Sequence, residues 1–439
     1  MRRTASIIAL SVLSMASYAS GGGDAERTCG LEDHVTLLSS DSLGGRLAGS
    51  SGEKMAAEYM YTGLEAMGVT MLTPVTGQDF AVIQNGDTVY SRNIIGMVEG
   101  CDSLLRNQYI VVGANLDHLG TNVMTVDGKA VIQVFPGADD NASGIACVME
   151  VARRVASSRF LFRRSVIFAG FGAGELGRAG SWYFVNRTSV SPDSVSVMVD
   201  VRMVGQSGQI NPFTYYTGVS SPEINSLVSG LADVGAFYTP VQGDGVLPYG
   251  DYLPFYEENV PVMLLTTGPD RNARTVRDKA DLLDYATMDY ICDFIYNFVR
   301  EAANRDQMID RPEILSGEPA APAQTSGERV YSSFEVDTPP EYFKGDVMTF
   351  LNEWVYTYLR YPDIPLSQGI SGTVTVAFIV EKDGSVTNVR AVRGVDQYLE
   401  DEAVRVISAS PKWKPGVLGG EKVRVRYSVP VEFRLKKRK

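Results

Sequence analysis

One stretch of altered composition divides this chain of 439 residues and constrains its fold more than any other feature. Residues 306–329 are rich in Pro, Ala, Gly and Ser and lack apolar periodicity, which is typical of a linker. A single hydrophobic core would be stretched at this length, so two domains are expected. We therefore predict a large domain at 25–305, a linker at 306–335 and a small domain at 336–439.

Strand-like and helix-like patterns alternate along the large domain. Apolar spacing predicts a helix from Gly52 to Met67, and continuous apolar runs predict buried strands at Tyr109–Ala114 and Ser165–Phe171. Between those strands, Pro136–Gly144 predicts a turn that opens a helix reaching Val155. This order predicts an α/β fold, in which chemically active residues are expected on loops beyond the strand ends.

Those loops carry five motifs in order between residues 39 and 268. They read SSDSLGGRLAGSSGEKMAAEYM, GANLDHLG, GADDNASG, GAGELGRAGS and GDYLPFYEENVPVMLLTTG. Together they resemble the two-zinc aminopeptidases, a family of zinc metallopeptidases. The resemblance implies a mixed sheet flanked by helices, and a pair of zinc ions held by His and carboxylate side chains beside a Glu that acts as general base.

Position-by-position transfer of the family's roles shows that most of them are replaced. Asn115 stands where the first zinc-binding His belongs, and Gly174 stands where the general-base Glu belongs. Arg202 stands in place of a carboxylate ligand, and Arg274 lies at or beside the position of the last His. The resemblance therefore implies a site that has lost its general base together with most of its metal ligands.

Two carboxylates remain at metal-site positions of the resemblance. Asp139 matches the bridging Asp, Glu175 matches a ligand, and Asp117 is kept next to the first ligand position. Arginine has no lone pair to offer and stays protonated, and an Asn amide oxygen is a poor zinc ligand. We therefore expect no metal cofactor, and hypothesise that Arg202 and Arg274 fill the metal position with a salt-bridge network that includes Asp139 and Glu175.

Histidine content supports the same interpretation. The chain has only two histidines, His34 and His118, whereas zinc enzymes commonly use two or three on the metal. His118 is interpreted as a structural residue, and the GADDNASG loop is interpreted as retained scaffold that begins a helix. A working zinc aminopeptidase with a rebuilt or single-metal site stays open, because Asp139 and Glu175 are still present.

The segment after the linker predicts a small α+β domain. Strands are indicated at Thr373–Val380, Val386–Val392 and Val423–Phe433, with a hairpin turn at Asp383–Gly384 and an amphipathic helix at Leu399–Ser408. The motifs SGTVTVAFIVEKDGSVTNVRAVRG, LEDEAVRVISASPKWKPG and KVRVRYSVPVEFRL resemble the C-terminal domain of TonB. In the middle motif, a tryptophan between two lysines is predicted to anchor the core.

The TonB resemblance implies a partner protein. Domains of that family add an extended peptide of an outer-membrane transporter to a sheet edge. The chain has no long Pro-rich spacer and no convincing membrane helix, so a soluble docking module is favoured over a TonB-type energy transducer, which stays an alternative for outer-membrane transport. A mere stabilising appendage is a third interpretation. The net charge of −12 argues against binding to nucleic acid.

The first twenty residues read as an export signal, with Arg2 and Arg3 before a short apolar run and small residues at Ser17–Ala19. Cleavage would release the chain to the periplasm, whereas an uncleaved signal would keep it at the membrane. Export permits disulfides, and Cys29 with Cys101 is a candidate pair. We therefore predict an exported, catalytically inactive, peptidase-like protein that binds envelope proteins or peptides through its TonB-like domain.

Overall fold

The computed structural model describes residues 30–435, apart from 85–86, 127–128, 208–212, 218–220, 234–238, 244–249, 269–270, 312–328, 334 and 344. The predicted export signal, Cys29 with its candidate bond, and the central part of the predicted linker lie outside the described residues. Cys101 is exposed and forms no disulfide with the other cysteines that the structure describes, Cys147 and Cys292. Among the helices that the structure describes, none is long and apolar enough to cross a membrane.

The described part of the large domain consists of eleven strands and seven α-helices. The strands are β1 Thr70–Met71, β2 Gln78–Gln84, β3 Asp87–Val98, β4 Tyr109–Asn115, β5 Thr121–Val126, β6 Lys129–Val134, β7 Ser165–Phe171, β8 Val195–Val201, β9 Thr214–Tyr216, β10 Val241–Gln242 and β11 Val262–Thr266. The helices are α1 Leu31–Leu38, α2 Ser51–Ala66, α3 Gly144–Ser157, α4 Ala179–Arg187, α5 Pro222–Asp233, α6 Leu253–Glu257 and α7 Tyr285–Asn304.

Nine of these strands form one mixed sheet. Its order is β1-β3-β7-β4-β8-β11-β9-β10, with β2 paired to β3 beside this path. Because β7, β4, β8 and β11 run parallel to their neighbours in that order, their carboxyl ends lie at one edge of the sheet. Strands β3 and β9 are antiparallel to β7 and β11, and β5 and β6 form a separate hairpin. The predicted α/β fold with a mixed sheet is confirmed.

Helices cover both faces of this sheet. On one face, α2 and α7 contribute Met60 and Phe294 to the main core. On the other face, α4 and α6 contribute Phe184 and Phe255 to a second core. Every residue of β7 and β8 is buried, and a strand buried on both faces is expected to be rich in apolar residues. For that reason the apolar run at Ser165–Phe171 predicted β7 with its correct bounds.

Two local predictions need small corrections. Helix α2 begins one residue earlier than predicted, because the Ser50 hydroxyl accepts a hydrogen bond from the Glu53 N–H and caps the helix. The turn predicted before α3 is present, since Asp140 and Asn141 have non-helical backbone angles within Ala138–Ser143. This segment leads directly into α3, which ends at Ser157, two residues beyond the predicted Val155. The loop that carries the two adjacent aspartates is therefore part of the helix entry.

The small domain is α+β, as predicted. Its described strands are β12 Val330–Ser332, β13 Gly372–Val380, β14 Val386–Arg393, β15 Gly416–Leu418 and β16 Glu421–Phe433. Its helices are α8 Val347–Phe350, which continues through Leu351–Val355 and Tyr356–Tyr358, then α9 Asp363–Ser367 and α10 Gln397–Ser408. The strand order is β12-β16-β13-β14, with β15 paired to β16. Trp413 is 3% exposed and its ring meets those of Phe350 and Phe378, so the predicted core anchor is confirmed.

The two domains touch at the β5–β6 hairpin and at β12. Thr125 of the hairpin exchanges backbone hydrogen bonds of 2.7 and 3.0 Å with Ser371, just before β13. The Asn122 side chain donates to the Thr373 carbonyl at 2.6 Å. Strand β12 falls within the stretch that composition assigned to the linker, yet it pairs with β16. Composition could not indicate this, because its β partner lies about ninety residues further along the chain.

Candidate functional site

The candidate site lies where the parallel strands end. Asn115 is the last residue of β4, and Arg202 follows β8 directly. Glu175 lies on the loop after β7, and Arg274 comes from the loop after β11. The loop before α3 contributes Asp140, which contacts Arg202 and Arg274. Because the carboxyl ends of parallel strands share one edge, residues far apart in sequence meet there.

Two arginines and two carboxylates form a network at this edge. Arg202 Nη2 lies 3.2 Å from Asp140 Oδ1, and Arg274 Nη1 lies 3.3 Å from Asp140 Oδ2. Arg274 also holds Glu175 with both ends of its guanidinium, at 2.9 and 2.7 Å. Two guanidinium groups thus face two carboxylates and the formal charges balance. The hypothesis of a salt-bridge network built on Arg202 and Arg274 agrees with this geometry.

Because the network is largely buried, its charged groups strongly affect one another's pKa values. Asp140 is 1% exposed and Arg202 12%. Burial opposes ionisation of Asp140, but Arg202, His118 and Arg274 outweigh it and hold the pKa of that carboxyl well below its usual range. Burial likewise opposes ionisation of Glu175, and Arg274 outweighs it and lowers the pKa of Glu175. Both carboxylates are therefore charged at neutral pH.

The carboxylate between the arginines is Asp140, not Asp139, and this corrects the predicted network. The Asp139 carboxylate instead accepts hydrogen bonds from the Gly205 N–H at 2.8 Å and from Gln206 Nε2 at 3.0 Å. Burial raises the pKa of Asp139 to about 7. Two adjacent aspartates on one turn project in different directions, so the sequence alone could not tell which one enters the network.

A further carboxyl group supports this turn and was not predicted. Asp278 accepts hydrogen bonds from the backbone N–H of Asp139 at 2.7 Å and from that of Asp140 at 3.1 Å. Burial raises the pKa of Asp278 to about 6. It lies just after Arg274 in a stretch without a recognisable motif, so no sequence signal singled it out.

The Asn115 amide forms hydrogen bonds through both its nitrogen and its oxygen. Its Nδ2 donates to the Asp117 carbonyl at 3.0 Å, and its Oδ1 accepts from Asn141 Nδ2 at the same distance. Asn141 Nδ2 also donates to the Val201 carbonyl at 2.9 Å, and its Oδ1 accepts from the Met203 N–H at 2.9 Å. These two amides join the ends of β4 and β8 by hydrogen bonds between neutral groups, at the place where the family resemblance implies a ligand His.

Gly174, the position that the family resemblance assigns to the general base, has no space for a side chain. A Cβ placed on Gly174 would lie 2.8 Å from the Asn115 Cβ, closer than real Cβ contacts. Asp117 accepts hydrogen bonds from the N–H groups of Gly174 and Glu175 at 2.6 and 3.1 Å, and burial raises its pKa. Asp117 therefore fixes the backbone of this loop, and the loop has no room for a side chain at Gly174.

Arg46 donates hydrogen bonds to the loops that carry the site, although the sequence motifs assigned it no role. It lies in the GGRLAG motif and is 2% exposed. Its Nε donates to the Leu116 carbonyl at 3.1 Å, and its two terminal nitrogens reach the carbonyls of Pro136 and Gly137 at 2.8 and 2.9 Å, while Nη1 also meets the Leu38 carbonyl. One buried cation thus holds together the β4 loop and the loop before α3.

The residues present do not fit a zinc ion. One atom each from His118, Asp140 and Glu175 lies within 4.8 Å of the others, which is the spacing of a metal site. However, the carboxylate oxygens of Asp140 and Glu175 accept hydrogen bonds from Arg202 and Arg274, and a divalent cation there would face two guanidinium groups. Zinc binding would require both arginines to leave, so no chemical step is derived through a metal.

His118 cannot take over as a base in this geometry. Its ring is fully buried, and burial lowers its pKa to about 4. Neither ring nitrogen has a hydrogen-bond partner among the residues that the structure describes. The imidazole is therefore neutral at neutral pH, and no hydrogen bond among the described residues accounts for its place, so the structural interpretation of His118 stays a prediction.

The small domain lines a groove at the mouth of this site. The large domain contributes the loop after β7 and the end of β2, and the small domain contributes β12 and the middle of β16. The residues that face the groove include Ile83, Glu175, Leu176, Ser332, Arg426 and Tyr427. Glu175 therefore belongs both to the arginine network and to the wall shared with the small domain.

Family models match both halves of this architecture. The model described as Peptidase family M28 matches residues 93–299, which span the strands and loops that build the site. The model described as Gram-negative bacterial TonB protein C-terminal matches residues 357–435.

Curated relatives match the large domain over part of their length. Leupeptin-inactivating enzyme 1 of Streptomyces exfoliatus is 28% identical over 241 residues, 54% of this chain and 48% of that protein. A probable zinc metalloprotease of Leptosphaeria maculans is 33% identical over 134 residues, 30% of this chain and 29% of that protein. The chain thus spans about half the length of the first relative and less of the second.

Solved structures agree on the fold. The aminopeptidase from Aneurinibacillus sp. strain AM-1 matches with a TM-score of 0.51 and 16% sequence identity, covering 64% of this chain and 95% of that protein. At this level of identity the likeness is one of fold alone.

Proposed function

We propose that this chain, which combines an M28 peptidase-like domain with a TonB C-terminal domain, is a catalytically inactive envelope protein that acts in docking. Both resemblances predicted from the motifs are confirmed by the family models. The periplasm is the proposed compartment, and the proposed partners are envelope proteins or peptides, including an outer-membrane TonB-dependent transporter.

One observation carries the proposal of inactivity. Asp140 and Glu175, the carboxylates that could hold a metal, are paired with Arg202 and Arg274. Each guanidinium stays protonated at any pH at which the chain is folded. The site also lacks a carboxylate at Gly174 that could deprotonate an attacking water. Removing the mechanism therefore required changes at several positions, and reversing one of them would not restore it.

Strand addition supports the proposed docking role. The small-domain sheet ends at β12 and β16 on one side, and β16 from Tyr427 to Phe433 pairs with β13 on its other side. Backbone N–H and C=O groups at a sheet edge recruit an extended peptide through main-chain hydrogen bonds. This chemistry depends on the backbone, so it survives sequence divergence that would destroy a metal site.

Metal analysis combined with an activity assay tests the inactivity. The purified chain is expected to contain no stoichiometric zinc after dialysis against zinc, and to release no chromophore from aminoacyl-p-nitroanilides. Zinc at one or two ions per chain, or turnover that Glu175→Ala abolishes, would overturn the proposal. Glu150→Ala, which removes a buried carboxylate from its ion pairs with Arg153 and Arg154 on α3, serves as the matched control.

A zinc-dependent aminopeptidase with a rebuilt site is the second candidate. The spacing of His118, Asp140 and Glu175 favours it, since these three side chains could converge on one ion. It requires Arg202 to move away from Asp140, and Arg274 to move away from Asp140 and Glu175. The same zinc titration distinguishes the two candidates, because Arg274→Ala would then increase zinc affinity and turnover together, whereas inactivity predicts no turnover in either protein.

A further inference from the structure

The edge of β16 already carries a strand of this chain. β12 runs parallel to β16, with Val330 opposite Arg424, Tyr331 opposite Val425 and Ser332 opposite Arg426. β12 is three residues long, and the chain that leads into it has the composition of a linker. An extended segment from the linker, β12, therefore lies where the strand of a partner protein would begin to pair with β16.

The large domain holds this strand in place. Arg329, immediately before β12, lies 2.7 Å from Glu257 at the end of α6 and 2.9 Å from Glu335. Its guanidinium also lies over the Tyr331 ring, 4.2 Å from the ring centre. Glu335 in turn accepts a hydrogen bond from the Ser332 N–H, so this carboxylate joins both ends of β12.

A second contact joins β12 to the loop of the former active site. The Ser332 hydroxyl donates to the Gly177 carbonyl at 3.4 Å, two residues beyond Glu175. β12 thus touches three structures at once, namely α6, the loop after β7 and the edge of β16. Any movement of the large domain relative to β12 would change how firmly the edge is covered.

We propose that β12 occupies the edge of β16 until an extended segment of a partner protein displaces it. The contacts of β12 with Glu257 and Gly177 of the large domain then determine how easily it is displaced. The inference rests on the proposed docking function. It assigns the M28 peptidase-like domain a role in controlling the edge rather than in peptide hydrolysis.

The contacts of β12 indicate that it is held weakly enough to be displaced from β16. Three residues provide few ladder hydrogen bonds, and Arg329 is 27% exposed, so water can compete for its ion pairs. Glu257 is 15% exposed, and its Oε1 has no hydrogen-bond partner among the described residues. A partner strand that is longer than β12 could continue along β16 past Arg426, where β12 ends.

Hydrogen–deuterium exchange on the full-length protein tests the internal occupancy without any partner. Arg329→Ala removes the contact with Glu257 and Glu335, and it is expected to accelerate exchange of the amides at 330–332 and 424–426 by at least about tenfold. Tyr331→Pro removes a backbone donor from β12 and is expected to have the same effect. Arg305→Ala is the matched control, because Arg305 forms a similar half-buried ion pair with Glu223, away from β12.

A binding assay then tests displacement. The probe is a fluorescein-labelled synthetic peptide with the sequence of residues 328–335 of this chain, followed by anisotropy. It is expected to bind Arg329→Ala and Tyr331→Pro at least about tenfold more tightly than the unmodified protein or Arg305→Ala. Equal exchange rates and equal affinities in all four proteins would overturn the internal occupancy while leaving docking intact. Faster exchange in the two variants with no peptide binding would overturn the docking function and, with it, this inference.

Discussion

The candidate site and the β16 edge are two surfaces of one chain, and they differ in what their chemistry depends on. The site depends on particular side chains, and Arg202, Arg274, Asn115 and Gly174 have replaced the residues that the family resemblance requires. The edge depends on backbone N–H and C=O groups, which every residue except proline supplies. Substitution can remove the first kind of chemistry completely, whereas the second persists as long as the strand forms.

The comparison explains why the large domain keeps its loops. Asp117, Asp139 and Asp278 all accept hydrogen bonds from backbone N–H groups, so they fix the loop conformation. Arg46 does the same for carbonyl groups. Motifs that resemble catalytic ones can therefore survive as scaffold, because the folded state itself uses them.

The largest expected effect tests the scaffold. Arg46→Ala would remove hydrogen bonds to four buried carbonyl groups, of which, among the described residues, only that of Gly137 also accepts from a backbone N–H, that of Ala142, and we expect it to lower the free energy of unfolding by more than about 4 kcal/mol. Urea unfolding monitored by tryptophan fluorescence measures the loss. Arg153→Ala, which removes a half-exposed partner of Glu150, should have a much smaller effect. Equal losses in the two variants would mean that the loops do not depend on Arg46.

The next prediction separates the two adjacent aspartates. Asp140→Asn removes a buried charge between Arg202 and Arg274, so we expect a loss of about 3 kcal/mol. Asp139→Asn should cost about 1 kcal/mol or less, because its pKa of about 7 shows that its neutral form is already accommodated. Parallel denaturation curves at pH 7 provide the measurement. The reverse order would return Asp139 to the network and contradict the assignment of Asp140.

A pH series tests the contact between the domains. Burial raises the pKa of Glu257 to about 7 although Arg329 lowers it, whereas the unfolded value is 4.5. Because the folded value is the higher one, the stabilisation from this group is complete below pH 4.5 and is lost as the pH rises through 7. Glu257→Gln should therefore gain up to about 3 kcal/mol relative to the unmodified protein between pH 4.5 and 8. If the stability difference between Glu257→Gln and the unmodified protein does not change with pH, Glu257 is not the group that titrates in this range.

The smallest expected effect concerns the hairpin that holds the small domain. Asn122→Ala removes the hydrogen bond to the Thr373 carbonyl, and we expect a loss of about 1 kcal/mol. The amides of Thr125 and Ser371 should then exchange about fivefold faster. Asn186→Ala is the control, since its side chain bonds within α4 to the Trp182 carbonyl. Unchanged exchange at Thr125 would mean that the backbone pairing alone holds this contact.

Elements with strong local signals could be predicted from the sequence. Strand β7, helix α2 and the Trp413 core anchor follow from an apolar run, a helical period and a large aromatic residue at a turn of chain direction. Arg202 and Arg274 were predicted as network members because their places in the motifs were recognisable. In each case the information lies within a few neighbouring residues.

Features that depend on distant contacts could not be predicted. Nothing near Val330–Ser332 indicates a strand, because its pairing partner is in β16. Nothing in GADDNASG indicates which aspartate faces the arginines, because the direction of each side chain is set by Asp278 and by Gly205 on other elements. The closure of Gly174 depends likewise on the Asn115 side chain across the sheet edge.

The sequence by itself determined that this chain has two domains, that the first resembles a zinc peptidase without most of its ligands, and that the second resembles a TonB C-terminal domain. Only the tertiary structure decided that Asp140 joins the arginine network, that the general-base position is sterically closed, and that β12 covers the β16 edge. The physical reason is that composition, periodicity and motif identity are local properties. The direction of a buried side chain and the partner of a short strand are fixed by packing and hydrogen bonding between segments that are distant in sequence.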